Sequence, residues 1–198
     1  MRRALVWHLV WLLATACGEA ELTPSNGSDE PAGNDSGSTE ITSMEVDSNC
    51  VPNLGCELER LPSSGDPARD CVDRVNQFRT ECACLPALAR WSDGEACANE
   101  QAEYDSSREP HAGFRADVCN GGFAQNECPG WPSVDGVVGD CLQAMWDEGP
   151  PPSGDCEGQC FQDHGHFINM SSEGYSAVAC GFFEKGDGDL WAVQNFTR

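Results

Sequence analysis

Three imidazoles carry most of the chemistry this chain can offer. Histidine occurs at His8, His111, His164 and His166, and His8 falls in an N-terminal segment read below as removable. Two of the other three share one stretch, Asp163-His164-Gly165-His166-Phe167-Ile168-Asn169-Met170. Imidazole is the side chain best suited to metal ligation and to proton transfer near neutral pH. A place where His111 meets His164 or His166 is therefore where chemistry would occur. His-x-His lacks the metal-specific spacing of paired Cys-x-x-Cys motifs, so a surface or structural duty for one or two of these histidines is the competing reading.

Other reaction classes find no residues. The chain has no Gly-x-Ser-x-Gly nucleophile motif, no phosphate-cradling glycine loop and no dinucleotide fingerprint. It carries 33 acidic and 11 basic residues, net −22. That balance argues against nucleic acid and against charge-driven binding to anionic lipid. It suits cation binding, although a diffuse acidic surface also serves solubility alone.

The elements that must position the histidines follow from the chain in order. Residues 1–16 hold Arg2 and Arg3, an apolar run from Ala4 to Ala14 broken only by His8, and a small-residue end before Cys17. This is the anatomy of a secretory signal, and the run is short of the roughly 20 apolar residues a membrane-spanning helix needs. Ala14-Thr15-Ala16-Cys17 resembles a bacterial lipobox, which makes Cys17 the lipidated first residue. Gly18 after it implies outer-membrane sorting in that setting. The competing reading is an ordinary signal peptide cleaved nearby. Of 13 cysteines, assigning Cys17 to the lipid leaves an even twelve, the number a complete disulfide framework requires. Residues 17–49 are rich in Ser, Gly, Asn, Asp and Glu and poor in bulky apolar residues. They read as a flexible acidic tether. One domain, residues 50–198, follows.

Within that domain, Asp66 to Arg79 reads as a helix, with Pro67 in its first turn and Cys71, Val72, Val75 and Phe78 at helical spacing. Ser92 with Glu95 has the pattern of a capping box and opens a helix to about Tyr104. His111 sits in a loop. Gly121 to Pro132 reads as irregular. Ser133 caps a helix with an apolar face of Val134, Val137, Val138, Leu142, Met145 and Trp146, stopped at Gly149-Pro150-Pro151-Pro152. Tyr175 to Phe183 and Leu190 to Phe196 read as strands joined at Gly186-Asp187-Gly188-Asp189. That turn is too short for a calcium loop.

Eight motifs in order now carry a resemblance. Val75-Asn76-Gln77-Phe78-Arg79, Leu85-Pro86-Ala87-Leu88-Ala89-Arg90-Trp91, His111, Ala124-Gln125-Asn126, Met145-Trp146-Asp147-Glu148, Gly165-His166-Phe167-Ile168-Asn169-Met170, Val178-Ala179-Cys180-Gly181 and Trp191-Ala192-Val193-Gln194-Asn195-Phe196 together resemble the CAP superfamily. That superfamily takes in cysteine-rich secretory proteins, venom antigens and pathogenesis-related proteins. The resemblance runs from about Pro67 to Phe196. It implies an α+β fold, a disulfide-rich three-layer α-β-α sandwich, and a central cleft with two histidines and two acidic residues. His111 and His166 take the histidine positions and Glu148 one acidic position. Gln125 stands where the other glutamate would be, with Glu127 two residues on as a substitute. His164 has no counterpart and reads as a loop residue, with a third ligand as the alternative. Asn76, Arg79, Trp91, Asn126 and Asn195 read as residues that satisfy buried backbone groups or pack the core, and Trp146 and Phe167 as core residues, not a substrate platform.

Three functions compete. The first, preferred here over an enzyme, is an exported binding module anchored to the membrane only through its lipid at a bacterial outer membrane or cell surface. Its ligand is a small molecule (a lipid, sterol or glycan) or an envelope protein. The second is a metal-assisted hydrolase, with zinc held by His111, His166 and Glu148. The third is a structural envelope protein with a vestigial cleft. No catalytic residue is assigned, because Gln125 cannot exchange a proton.

Overall fold

A computed structural model describes residues 49–152 and 156–198. The signal segment, Cys17 and all but the last residue of the tether lie outside the described residues. In chain order the described residues form α1 (Pro67–Gln77), the short β1 (Ala89–Arg90), α2 (Ser92–Asp105), one-turn α3 (Ala112–Arg115), β2 (Ala124–Trp131), short α4 (Val134–Gly136), α5 (Leu142–Asp147), α6 (Gln159–Ser171), β3 (Ala177–Glu184) and β4 (Leu190–Thr197). Wide π-helical turns extend α1 over Phe78–Cys82 and join α4 to α5 over Val137–Cys141.

The helix starts show which local signals hold. Asp66 caps α1, its Oδ1 accepting the N–H of Ala68 at 3.1 Å and of Arg69 at 3.2 Å, with Pro67 just inside. Ser133 caps α4 through Gly136 N–H at 3.0 Å, as its position predicts. The capping box expected from Ser92 and Glu95 is not formed. Trp91 occupies the cap with no side-chain hydrogen bond, and Glu95 instead pairs with Arg90. Arg90 also reaches Asp66 at 2.7 Å, so a charged bridge replaces the local cap.

One sheet of order β1-β3-β4-β2 divides the core. β4 pairs antiparallel with both β3 and β2, and β1 pairs parallel with β3. Alternate side chains point to opposite faces of a strand. Val178, Cys180, Ala192 and Phe196 face a large cluster with Val72, Val75 and Phe78 of the α1 region, Leu142, Met145 and Trp146 of α5, and Phe167 and Met170 of α6. Trp146 is fully buried there, its ring 5.2 Å from Phe78 and 4.7 Å from Phe167. The other face carries Trp191 and Val193, packed with Ala98 and Ala102 of α2 and with Phe183. The approach of α2 demands a glycine: a Cβ on Gly181 would stand 2.2 Å from the Ala98 carbonyl carbon. The architecture is thus the disulfide-rich α+β fold expected, with α2 on one face of the sheet and α1, α5 and α6 on the other.

All twelve cysteines of the domain pair. Cys71–Cys180 ties α1 to β3, Cys128–Cys141 ties β2 to the turn before α5, and Cys97–Cys119 ties α2 to the loop after α3. Cys50–Cys84 and Cys56–Cys82 strap the N-terminal arm, and Cys156–Cys160 closes a short loop at the start of α6.

Two expectations need correction. Residues 124–131 are strand β2, although they were expected to be irregular. Pro129 and Gly130 there break the register with β4 between Cys128 and Trp131 without ending the strand. His164 lies on helix α6, not in a loop.

Candidate functional site

β2 is the bridge between the two histidines, and it uses neighbouring residues for each. Gln125 and Glu127 project to one side of the strand and Asn126 to the other. The Gln125 Oε1 lies 2.8 Å from His111 Nδ1. The amide's orientation is fixed because Gln125 Nε2 donates to Gln101 Oε1 at 2.9 Å and to Asn195 Oδ1 at 3.1 Å. Its oxygen therefore accepts from His111, which places the imidazole proton on Nδ1 and the lone pair on Nε2. Across the strand, Asn126 Nδ2 donates to the His166 carbonyl at 3.2 Å, and Asn169 Nδ2 donates to Asn126 Oδ1 at 2.9 Å.

His166 is oriented by Glu148. Its Nδ1 lies 2.5 Å from Glu148 Oε1. Glu148 Oε2 accepts the backbone N–H of His166 at 2.9 Å and of Phe167 at 3.3 Å. One carboxylate thus holds both ring and backbone, and Nε2 is the ring nitrogen of His166 left without a hydrogen bond among the described residues. About a third (33%) of each side chain, His111 and His166, stays exposed, enough for a ligand to reach a ring edge.

His164 has a different task. Its Nδ1 lies 2.8 Å from the Glu148 carbonyl and 3.0 Å from that of Gly149. Nδ1–H therefore satisfies free carbonyls at the end of α5, fixing the helix end that carries Glu148. It positions the residue that positions His166.

Beneath His111 lies a buried acid pair that sequence reasoning half missed. Glu127 is 3% exposed. It accepts His111 N–H at 2.7 Å and Trp191 Nε1–H at 3.2 Å. Burial, followed by the facing carboxyl of Asp105, raises its pKa to about 9. Asp105 is fully buried at the end of α2, its Oδ1 accepting Gly113 N–H at 2.6 Å. Its Oδ2 has no hydrogen-bond partner in the structure, and the carboxyl faces Glu127. Glu127 was considered only as a stand-in for Gln125; it serves instead as an anchor for the His111 backbone, which adopts a left-handed φ of 62°. The sequence does hold a faint sign of Asp105: an acidic residue in a last helical turn opposes the helix dipole and so invites a special reason.

His111 is less basic than free histidine. Burial is the main cause, and the charge of His166 adds to it, outweighing the Gln125 hydrogen bond. Acidic surroundings alone would raise this pKa. Burial reverses the sign, since the nearest acid, Glu127, holds a proton near neutrality. His111 is therefore neutral and able to ligate at pH 7.

Among the described residues, no group of three or more His, Cys, Asp and Glu side chains converges on a point that would hold a metal ion. The donors on offer are two oriented imidazole nitrogens, with both Glu148 oxygens already engaged. Two of the residues expected to be structural satisfy buried backbone groups. Asn76 exchanges two hydrogen bonds with the backbone of Leu88, and Arg79 donates to the carbonyls of Pro86, Met170 and Ser172. Three surface hollows, one beside Arg60 and Asp73, one beside Glu59 and Gln143, and one beside Tyr104 and Phe183, include neither histidine.

Known proteins bear on the fold. No protein-family model matches the sequence, and no curated protein matches it either. Among solved structures the chain is similar to BmVAL-1, a venom allergen-like CAP protein, with a TM-score of 0.52 and 17% identity over 72% of this chain and 80% of that one. The chain shares the fold of that protein. At that identity the likeness covers architecture alone. The six disulfides fit a secreted or extracellular protein.

Proposed function

We propose that this chain is an exported, lipid-anchored binding module with a CAP fold, which receives its ligand at the exposed edges of His111 and His166. The observation that carries the reading is the matched treatment of the two rings. Each has Nδ1 engaged by an oxygen that is itself positioned, Gln125 Oε1 or Glu148 Oε1. Each is left with a free Nε2 and partial exposure. Supporting groups of this kind hold ligating histidines in metal sites.

Zinc fits the donor type. His111 and His166 would hold it, and their small number suits an open, exchangeable site with other positions left to water or ligand, unlike a closed structural one. When bound, zinc would supply Lewis-acid polarisation of a ligand oxygen. The chain's own residues bind and orient: Gln125 fixes one ring, Glu148 the other, and His164 steadies Glu148. Hydrolysis gains nothing from Gln125, which cannot act as an acid or base. No peptidase or esterase turnover on generic substrates is expected, and robust turnover lost in Glu148→Gln would promote the hydrolase reading.

Zinc titration calorimetry at physiological and high salt tests the proposal. Diffuse attraction to the acidic surface is screened within about 8 Å at physiological ionic strength, whereas ligation by two imidazoles survives salt. Near-stoichiometric binding that persists at high salt and disappears in His166→Ala is expected. Equal binding by that variant refutes the site. The partner class, a small ligand such as a lipid, sterol or glycan, or an envelope protein, is part of the proposal, as is lipid attachment at Cys17.

A further inference from the structure

Five of the six disulfides join residues 13 to 109 positions apart in sequence. The sixth, Cys156–Cys160, spans a separation of 4. We propose that this bond is a reversible thiol–disulfide site, opened by a dithiol reductant while the other five remain closed, and that opening it releases the first turn of α6. The inference stands apart from the metal reading, since it concerns the start of the helix and not the histidine rings.

Several observations converge. Cys160 is the second residue of α6, and α6 begins at Gly158 with no side-chain cap. The disulfide takes over the restraint a cap would give. Gly158 makes the short loop possible, with φ 57° and ψ −122°, a conformation that glycine reaches far more easily than other residues. Both Cys156 and Cys160 are half-buried, so a reductant can approach. By contrast, Cys71–Cys180 and Cys128–Cys141 are buried at both sulfurs, and Cys56–Cys82 is buried at Cys82. The remaining two, Cys97–Cys119 and Cys50–Cys84, are also half-buried, but each joins segments that the fold holds together by other means. Cys97 lies on α2, packed on the sheet, and the arm around Cys50 is held by the Asn53–Cys82 backbone hydrogen bond and by Cys56–Cys82. Opening either bond therefore frees no helix end, whereas opening Cys156–Cys160 frees the start of α6. A thiol at a helix N-terminus is acidified, so Cys160 is a good leaving group.

The step balances. One thiolate of the reductant attacks Cys156 Sγ, and the Cys156–Cys160 bond breaks with Cys160 leaving as a thiolate. The reductant's second thiol then closes its own disulfide and expels Cys156. Two electrons and two protons pass from the dithiol to the protein. The Gln159–Asp163 side-chain contact of 2.8 Å lies in the turn that is freed.

The test titrates the folded full chain with a dithiol, quenches by alkylation, maps labelled cysteines by mass spectrometry and follows amide hydrogen exchange. Cys156 and Cys160 should be labelled first, roughly tenfold above any other cysteine, with faster exchange over residues 159–163 and unchanged protection in β3 and β4. Earlier labelling of another pair, or loss of all six bonds together, overturns the proposal. The Cys156→Ser/Cys160→Ser variant should keep the protected sheet and lose the early labelling phase. Early labelling that persists elsewhere in that variant counts equally against it.

Discussion

Glu127 is a carboxylic acid held away from water against a second acid, and it makes the protein's stability depend on pH in a definite direction. Its folded pKa is raised to about 9 from an ordinary 4.5. Above 4.5 the unfolded chain gives up the proton while the folded chain keeps it. Stability is therefore fully present below about 4.5 and is lost as pH rises through about 9, at up to about 1.4 kcal/mol per pH unit. His111 runs the other way. Its folded pKa is lowered, so its contribution is complete above the unfolded value and is lost as pH falls below it. Urea unfolding at stepped pH checks the first sign: wild type should lose stability from mildly acid to alkaline pH, and Glu127→Gln should flatten that loss. Glu148→Gln is a sharper probe of the rings. It keeps one acceptor of two, so one of the contacts to His166 fails and zinc affinity should fall about 10–100-fold by calorimetry. At this scale the sequence was informative where a motif named a residue, as for His111, His166 and Glu148. It gave only a faint sign of Asp105, whose partner arrives from β2 only once the sheet has formed, and it misjudged His164, whose carbonyl partners belong to another helix.

The elements divide by how local their causes are. β3 and β4 are legible because they are rich in Val, Ala and Phe and joined at a glycine turn, where Gly188 N–H donates to Lys185 at 2.9 Å. α1 is legible from Pro67 and its apolar spacing. β2, reading Ala-Gln-Asn-Glu-Cys-Pro-Gly-Trp, is not, because its buried positions are amides and an acid whose hydrogen bonds come from Gln101, Asn195, Asn169 and Trp191. Nothing within the stretch announces those partners. The unformed capping box at Ser92 failed for a similar reason: Arg90 competes for Glu95. The contact of α2 with β3 gives an element-scale prediction. Gly181→Ala would push a methyl carbon into the α2 backbone at Ala98 and Asn99, and backbone cannot step aside as a flexible side chain can. A loss of about 3 kcal/mol or more is expected in denaturant unfolding. Near-wild-type stability would mean that α2 does not lie so close.

At the scale of the whole molecule, the odd cysteine and the paired twelve make separate predictions. Cys17→Ser should move the protein from membrane to soluble fractions and leave the domain folded; retention in the membrane fraction would remove the lipid anchor from the account. Denatured but unreduced domain should show no free thiol, consistent with the six bonds of the fold. Complete reduction, unlike the limited opening at α6, should unfold it, because each native bridge in a small secreted domain is worth about 2–5 kcal/mol. Cooperative unfolding by circular dichroism under strong reductant checks this. The net charge of −22 bears on both solubility and metal binding, and salt separates the two.

The central claim is that His111 and His166 are held with Nδ1 engaged and Nε2 free. Nitrogen-15 NMR of the imidazoles, without and with zinc at neutral pH, reads those atoms directly. The account predicts the Nδ1–H tautomer for both rings and a zinc-induced shift at Nε2 of both, with His164 unmoved. Nε2–H tautomers at His111 and His166, or a zinc response confined to His164, would contradict it.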